Sequence, residues 1–413
     1  MRMESFAWQH ITLSVIACSL IFTANAYTPA FYAIALLSIL LAFVFADIKK
    51  QVPTLNSPEK IFVGSFLIYT AYGAINMLLQ GYWEWSTFNY PVKFALVLGL
   101  YFTIRKYGYS NKALTYAAFS GVLASFIWAT YQSEVLNIAR VYGSTNKFVS
   151  AFGLIALLSG FMSIAYLVLN APLSLIKATS ISLISLMTLY SILSTGTKGV
   201  WITIPALIAL LFLSTEQISI KKLLSLGLIL ILLPPALYLT SKTFEHRINE
   251  ILEPIAIYIT TGIPTDGSAT IRLETWKATL IMFLENPIFG VGVDNFKHAK
   301  KHLIEIGNIH PYASYPSGPH NDFIGGLGTK GILGFIATLM VYISLALLLW
   351  RQRHASKFTF SAGTALILIM SISGLTGDRL EANLTVTFYA IMAASLAGQS
   401  SFNHQKSTIR QTQ

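Results

Sequence analysis

The sequence has very few cysteines and few charged residues, and both shortages restrict what the protein can be. Cys18 is the only cysteine among 413 residues, so the chain can form no intrachain disulfide and no cysteine metal site. Thiol chemistry is therefore excluded as the main activity. Charged residues make up 11% of the chain, against about a quarter in soluble proteins, and hydrophobic residues make up 54%. These fractions exclude a water-soluble globular enzyme.

Metal-binding patterns are scarce as well. The five aspartates all stand alone in the sequence, so no Asp-x-Asp pair is available for a divalent metal. His298 and His302 are four residues apart, but no glutamate lies between them where a zinc-protease helix needs one. A Gly-x-Ser-x-Gly nucleophile turn is also missing. The sequence predicts an activity that uses neither a metal nor a cofactor.

Long apolar runs fill most of the chain and predict an all-α polytopic membrane protein. A helix needs about 20 apolar residues to cross a bilayer, and other open structures leave backbone groups unpaired in lipid. Residues 1–413 are predicted to form a single integral membrane domain with about 12 transmembrane helices. The predicted spans are 8–25, 29–46, 60–79, 90–105, 112–131, 148–169, 175–193, 199–214, 223–240, 321–350, 359–374 and 380–397.

The distribution of basic residues predicts which side of the membrane each segment faces. With both termini in the cytoplasm, fifteen of the 28 Lys and Arg residues lie in short inner segments, six lie in spans or short outer segments, and the remaining seven lie in residues 241–319. Basic residues in short loops favour the cytoplasm, so this orientation is expected. Residues 241–319 then form one large periplasmic loop with short helices, one of them from Ala269 to Glu285. The net charge of +11 is attributed to this topology and to a lipid environment, not to nucleic-acid binding.

Two polar clusters on the predicted outer side are informative but weak. Ionisable groups at a membrane are costly and tend to mark a pathway or a site. Arg140 precedes the sixth span, and a solvated loop with a snorkelling arginine is the simpler interpretation. Lys198 lies in a short turn between Gly196 and Gly199, where backbone N–H groups could approach an anion. Taken alone, this second cluster is better explained as an ordinary turn.

A third cluster contains Arg272, in the first turn of the predicted loop helix. The N-terminus of a helix is its positive end, so the helix dipole disfavours an arginine there. This conflict is a reason to consider another partner, such as a phosphate gripped by the planar guanidinium. A pair with Glu274 or with another nearby carboxylate is an equally good alternative.

The fourth cluster begins at His320, at the mouth of the tenth span. Asn321 and Asp322 follow in the first helical turn, where capping and acidic residues are favoured. A neutral imidazole at the membrane boundary is a candidate general base for a hydroxyl group, although a single histidine more often has a structural role. Asp378 and Glu381, in the last outer turn, are carboxylates that could orient it.

Taken together, the clusters resemble the O-antigen ligase and O-antigen polymerase superfamily of bacterial inner-membrane glycosyltransferases. His320, ten intervening residues and Gly331, in PHNDFIGGLGTKGILGF, are similar to the His-x10-Gly signature of the ligases. RLETWKATLIMFLENPIFGVGVDNF, from Arg272 to Phe296, is similar to the stretch that the superfamily shares in its large periplasmic loop. The resemblance covers more than half of the chain.

The resemblance implies a function and a role for each site residue. Ligases of this family transfer a glycan from undecaprenyl diphosphate to a sugar hydroxyl of lipid A-core in lipopolysaccharide biosynthesis, on the periplasmic side of the bacterial inner membrane. It implies that His320 is the catalytic base and Asp378 its support. Arg272, Lys198 and Arg140 are the implied diphosphate contacts. The family usually has arginine at the place of Lys198, so the charge is kept and the bidentate fork is lost.

The residue types suit this chemistry independently of the resemblance. A departing diphosphate gains negative charge, and positive side chains can stabilise it in place of the metal that many such enzymes use. A neutral histidine takes the proton as the acceptor oxygen attacks the anomeric carbon, and this direct displacement inverts the configuration. The sequence offers no closely spaced carboxylate pair for double displacement.

Three other functions stay open at this point. An O-antigen polymerase would take the donor and the acceptor from the same lipid-linked glycan. A protein O-oligosaccharyltransferase shares the signature, although such relatives generally carry an additional C-terminal soluble portion. A transporter would place charged residues near the middle of the bilayer and broken helices in both halves, so it is the most distant alternative.

Overall fold

A computed structural model of the chain describes residues 54–412 except 82, 144–148, 171, 173, 216–227, 229–231, 233, 234, 236, 237, 241, 266 and 267. Every regular element within these residues is a helix. In chain order they are α1 (Ser57–Leu79), α2 (Trp85–Leu96), α3 (Leu98–Tyr107), α4 (Asn111–Thr130) with a π-helical extension (Tyr131–Val135), α5 (Val149–Asn170), α6 (Leu175–Leu193), α7 (Lys198–Trp201), α8 (Thr203–Ser214), α9 (Lys242–Thr261), α10 (Ser268–Glu285), α11 (Phe296–Glu305), a 3₁₀ turn (Pro311–Ser314), α12 (Asp322–Arg351), α13 (Lys357–Gly374) and α14 (Asn383–Thr412).

Six of these helices are long and apolar enough to cross a membrane, which confirms the predicted all-helical membrane fold for the described residues. They are α1, α4 with its π-helical extension, α5, α6, α12 and α13. The predicted spans 8–25 and 29–46 lie outside the described residues, as does most of 223–240. The total of about 12 spans and the periplasmic location of residues 241–319 stay predictions.

The remaining three predicted spans differ from single apolar helices. The segment predicted as 90–105 is divided at Val97 into α2 and α3, and the segment predicted as 199–214 is divided into α7 and α8. The segment predicted as 380–397 lies within α14, which begins at Asn383 and continues to Thr412. Residues 384–401 of α14 are all buried by the surrounding helices. Its serines, threonines and Gln399 are therefore covered by protein, which explains why its composition is less apolar than that of a lipid-facing span.

The ends of α1 show how the bundle is fixed on both sides. Near its start, Glu59 forms a buried ion pair with Arg105 of α3, with 2.8 Å between Oε1 and Nε. Near its end, the Asn76 side chain donates a hydrogen bond of 2.7 Å to the carbonyl of Phe289, and Gln80 donates to Gly290 at 3.0 Å. These two hydrogen bonds join the end of α1 to the loop that follows α10. This loop lies at the same end of the bundle as the candidate site.

The helix α12 is interrupted at Gly331, where φ is 65° and ψ is −170°. This left-handed backbone conformation favours glycine, because a Cβ would clash with the backbone. A Cβ placed on Gly331 would also overlap the carbonyl group of Ile288. The interruption leaves a short first segment, from Asp322 to Lys330, ahead of the long apolar segment that follows.

The loop after α10 fills the interruption with backbone hydrogen bonds. The N–H groups of Val291 and Gly292 donate to the carbonyls of Gly328 and Thr329 at 3.0 and 2.9 Å. In return, Ile332 donates to the carbonyl of Pro287 at 2.8 Å. The backbone groups that the break in α12 would leave unpaired are thus satisfied by the loop, as a membrane environment requires. The glycine of the His-x10-Gly pattern has a structural role in this contact.

Candidate active site

His320 lies immediately before the first turn of α12, and Asn321 caps that turn. The Asn321 side-chain oxygen accepts hydrogen bonds of 3.0 Å from the backbone N–H groups of both Phe323 and Ile324. Its amide nitrogen donates to the carbonyl of Leu375, just after α13, also at 3.0 Å. The predicted cap is therefore confirmed for Asn321, and it joins the start of α12 to the end of α13.

The backbone of His320 is itself unusual, since its φ is 53°. A residue with a Cβ is disfavoured in this left-handed region by about 1–2 kcal/mol, so the neighbouring structure has to hold it there. Asn321 holds the chain on the following side. On the preceding side, the indole N–H of Trp276 on α10 donates a hydrogen bond of 3.0 Å to the carbonyl of Pro319.

The imidazole of His320 contacts the carboxylate of Asp378, with 3.1 Å between Nδ1 and Oδ2. The side chains are 37% and 20% exposed, so the pair lies at a surface with one face accessible. Gly318 makes room for the carboxylate, because a Cβ at Gly318 would lie 2.7 Å from the same oxygen. A carboxylate at Nδ1 favours the tautomer with its proton on Nδ1, which leaves Nε2 as a proton acceptor.

The turn that carries Asp378, residues 375–382, is held by helices on three sides. The Asp322 side chain, on α12, accepts a hydrogen bond of 3.1 Å from the N–H of Leu380. Arg379 is buried and donates to Ser373 of α13 at 3.2 Å and to Ser150 of α5 at 2.7 Å. Burial lowers the pKa of the Arg379 guanidinium, and the negative charges of Asp322 and Asp378 raise it. Sequence analysis did not identify Arg379. Its hydrogen bonds anchor the backbone next to Asp378 to α5 and α13.

Arg272 is the fifth residue of α10, near the start of the helix, and is half-buried. Burial lowers the pKa of its guanidinium, and the nearby negative charge of Asp378 raises it. The pair with Glu274 that the sequence left open is not formed, because the Glu274 carboxylate accepts hydrogen bonds from the Tyr258 hydroxyl and, at 3.0 Å, from the N–H of His310. Among the described residues, the guanidinium of Arg272 makes no hydrogen bond or ion pair, so its donors are available to a ligand.

Arg140 lies against the turn that precedes α7. Its Nε donates a hydrogen bond of 3.1 Å to the carbonyl of Thr195, and the N–H of Val141 donates to the carbonyl of Ser194 at 3.0 Å. A Cβ on Gly196, where φ is 62°, would lie 3.4 Å from the Arg140 Nε. The first and second clusters therefore form a single exposed, positively charged surface.

Lys198 begins α7 and its side chain is exposed. The next residue, Gly199, packs against the turn of Asp378: a Cβ there would overlap the hydroxyl of Thr376 and lie 3.7 Å from an Arg379 nitrogen. The start of α7 and the turn of Asp378 are thus neighbours. The structure brings all four predicted clusters to one end of the bundle.

The other carboxylate of this turn has a different partner. Glu381 forms an ion pair of 2.9 Å with Lys330, and the Lys330 ammonium also donates to the Tyr69 hydroxyl at 3.3 Å. Of the two carboxylates proposed to orient His320, Asp378 therefore makes the contact and Glu381 is occupied elsewhere.

His298 and His302 are exposed on α11, and the described residues include no group of three or more His, Cys, Asp or Glu side chains close enough to share a metal.

The arrangement combines a histidine with an available ring nitrogen, a carboxylate that orients it, and exposed or half-buried cations nearby. These are the parts needed to take a proton from a hydroxyl group while an anionic leaving group departs. A group transferase that spans a membrane is the class of protein that this fold and these side chains would suit.

The particular family follows from comparison with known sequences. Residues 183–339, less than half of the chain, match the sequence profile described as O-antigen ligase, and this match supports membership of that family. The matched segment contains Lys198, Arg272 and His320, whereas Arg140 and Asp378 lie outside it. An uncharacterized protein of Haemophilus influenzae is 22% identical over 352 residues, which cover 81% of this chain and 84% of that protein.

Proposed function

We propose that the protein is an O-antigen ligase that transfers a glycan from undecaprenyl diphosphate to a sugar hydroxyl of lipid A-core. The observation that carries this proposal is the 3.1 Å contact between His320 Nδ1 and Asp378 Oδ2, beside the half-buried Arg272. An oriented imidazole suits an acceptor that must lose a proton, and an unengaged guanidinium suits a donor that leaves as a diphosphate.

His320 is the general base in this mechanism. The acceptor oxygen attacks the anomeric carbon, and the acceptor proton passes to Nε2 of His320. The bond between the anomeric carbon and the phosphate oxygen breaks, and its electron pair leaves with the diphosphate. Asp378 stabilises the imidazolium that forms, as a carboxylate does in other histidine-based sites. A single displacement of this kind inverts the anomeric configuration.

Arg272, Lys198 and Arg140 bind the diphosphate. Arg272 interacts electrostatically with Asp378, and its planar guanidinium can hold two phosphate oxygens at once. Lys198 and Arg140 add positive charge from the neighbouring surface. Because these cations supply the stabilisation that a divalent metal supplies elsewhere, activity in excess chelator is expected to equal activity without it. A loss that magnesium or manganese restores would contradict this metal-independent mechanism.

The decisive experiment replaces His320 by glutamine, which keeps a hydrogen bond but cannot take the proton. Purified protein would be given a labelled lipid-linked glycan and purified lipid A-core. His320→Gln is expected to bind the donor like the parent and to transfer glycan about 10²- to 10⁴-fold more slowly. The exposed His302, changed in the same way, is the matched control and is expected to transfer normally. Transfer by His320→Gln at the parental rate would exclude His320 as the base.

The same assay separates the proposed ligase from related activities. An O-antigen polymerase would extend the labelled glycan with a second lipid-linked glycan and leave lipid A-core unlabelled. A protein O-oligosaccharyltransferase would label a protein acceptor. A transporter would move the donor between vesicle leaflets without breaking the bond to the diphosphate. Transfer to lipid A-core alone supports the ligase.

The proposed location is the bacterial inner membrane, with the site on the periplasmic side. The bias of basic residues towards the predicted inner segments supports this orientation. In a Cys18→Ser background, a cysteine at Ser268 is expected to react with a membrane-impermeant maleimide added outside. A cysteine at Ser356 is expected to be protected until the membrane is opened. The reverse pattern would overturn the orientation.

A further inference from the structure

We propose that Trp276 is a positioning residue that holds the backbone of His320 for catalysis. The inference rests on the proposed function, because it concerns the placement of the proposed base. Trp276 is half-buried on α10, and its indole N–H donates a hydrogen bond of 3.0 Å to the carbonyl of Pro319, the residue that precedes His320.

The hydrogen bond controls a torsion angle of the histidine. The carbonyl of Pro319 belongs to the peptide plane that joins it to His320, and rotation about φ of His320 turns this plane relative to the imidazole. The observed φ of 53° is disfavoured for a residue with a Cβ, so the torsion angle relaxes unless both neighbouring peptides are fixed. Trp276 fixes the preceding peptide, and Asn321 fixes the following one through its three hydrogen bonds.

The burial of Pro319 explains why its carbonyl is hydrogen-bonded to the indole of Trp276. Pro319 is buried, and its ring packs on the first turn of α12, where a Cβ on Gly325 would lie 2.7 Å from the proline Cγ. A buried carbonyl needs a hydrogen-bond donor. Trp276 is the donor, and it reaches from a different helix.

The same helix face also carries the proposed diphosphate contact. Trp276 follows Arg272 by four residues, so the two side chains lie one above the other on α10. The position of α10 is fixed in turn by close packing, because a Cβ on Gly328 of α12 would overlap Thr279. We infer that α10 sets the distance between the bound diphosphate and the base, with Arg272 and Trp276 as its two points of attachment.

The test removes the indole N–H and keeps an aromatic ring. Trp276→Phe is expected to lower kcat about 5- to 100-fold, since small displacements of a catalytic group have effects of this size. Binding of undecaprenyl diphosphate, measured separately, is expected to stay within about twofold of the parent, because Arg272 is unchanged. Trp350→Phe, at the far end of α12, is the matched control and is expected to keep the parental kcat. An unchanged kcat, or equal losses of binding and turnover, would overturn the proposal.

A double-substitution experiment distinguishes positioning from general destabilisation. Trp276 and Asp378 are proposed to act on the same imidazole, so Trp276→Phe combined with Asp378→Asn is expected to lose less than the product of the two separate losses. Losses that multiply would show independent action and would overturn the proposal. If phenylalanine lowers the yield of folded protein, 3-benzothienylalanine at position 276 keeps the shape of the indole without the N–H, and the same outcomes apply.

The failure of this inference is distinguishable from the failure of the proposed function. A parental rate for His320→Gln would exclude the proposed base, whatever Trp276→Phe does. A parental rate for Trp276→Phe beside a strong defect of His320→Gln would overturn the positioning role alone.

Discussion

A Cβ on Gly290 would lie 2.6 Å from the backbone nitrogen of Gly331, so these two glycines meet backbone to backbone. Both have left-handed conformations, with φ of 68° and 65°. Their contact lets the loop after α10 approach the interruption of α12 closely enough for main-chain hydrogen bonds. It therefore fixes the short first segment of α12, and with it the position of His320.

Gly331→Ala is expected to destabilise the protein by more than about 2 kcal/mol, because the added Cβ is disfavoured at this φ and overlaps Ile288. Thermal unfolding in detergent measures the effect. Gly326→Ala is the matched control in the same short segment: the nearest atom to its Cβ would be 3.8 Å away, and its backbone is helical. The control is expected to unfold at or slightly above the parental temperature. Equal unfolding temperatures for both variants would contradict the structural role of Gly331.

Asp378→Asn is expected to lower kcat by about 10²- to 10⁴-fold with little change in the amount of folded protein. An asparagine can present its N–H to Nδ1 of His320 and so favour the tautomer in which Nε2 is protonated and cannot act as a base. Steady-state transfer at saturating donor is the measurement. Glu305→Gln, an exposed carboxylate on α11, serves as the control. If Asp378→Asn keeps the parental kcat, the 3.1 Å contact has no catalytic role.

Arg272→Ala is expected to raise the KM for the donor about 10- to 100-fold, which corresponds to the loss of a charge-assisted contact of about 1.5–3 kcal/mol. Arg272→Lys is expected to fall between this variant and the parent, because an ammonium keeps the charge without the bidentate geometry. Initial rates over a range of donor concentrations give both values. Lys277→Ala, on a different face of α10 and largely exposed, is the control. A normal KM in Arg272→Ala would exclude the diphosphate contact.

Lys300 gives a prediction about pH and stability. It is buried on α11 and donates to the carbonyl of Pro316, and burial, with the neighbouring charge of Lys297, lowers its pKa to about 8. Between about pH 8 and the ordinary lysine pKa of about 10.4, the unfolded chain binds a proton that the folded chain does not, so stability rises with pH. The expected gain is about 1–2 kcal/mol between about pH 8 and pH 9.5.

The measurement for Lys300 compares unfolding temperatures of the parent and Lys300→Met at about pH 7.5 and pH 9.5. The advantage of the parent is expected to grow at the higher pH, because only the parent carries the group that loses its proton. The upper limit avoids Tyr258, whose pKa burial raises to about 12 and which would lower stability at higher pH. A constant difference between the two proteins would show that burial does not shift Lys300.

Local features of the fold could be predicted from the sequence, because they depend on residues near each other in the chain. The helix expected from Ala269 to Glu285 appears as α10, from Ser268 to Glu285. The cap at Asn321 was predicted for the same reason. The bounds of α14 were not, since its hydropathy reflects burial by other helices, which a local pattern does not contain.

The contacts of the candidate site depend on residues far apart in sequence and could be predicted only in part. The sequence identified His320 as a candidate base and Asp378 as a carboxylate that could orient it. Whether the two side chains touch is decided by the packing of α12 against α13, which the sequence does not show. The hydrogen bond between Arg379 and Ser150 and the ion pair between Lys330 and Glu381 join residues far apart in the chain, so no local sequence pattern predicts them. Arg272 was found because its place at a helix N-terminus conflicts with the dipole, and a residue that violates a local preference is the kind that sequence reasoning can detect.

The contact between the loop after α10 and the break in α12 also bears on how freely this chain can vary over evolution. Its hydrogen bonds join main-chain atoms, so they do not depend on which side chains the two segments carry. Substitutions at the exposed Ile288 and Ile332 can accumulate without moving the histidine, provided that the glycines at 290 and 331 are retained. Sequence drift around the proposed catalytic centre is therefore compatible with a constant geometry inside it.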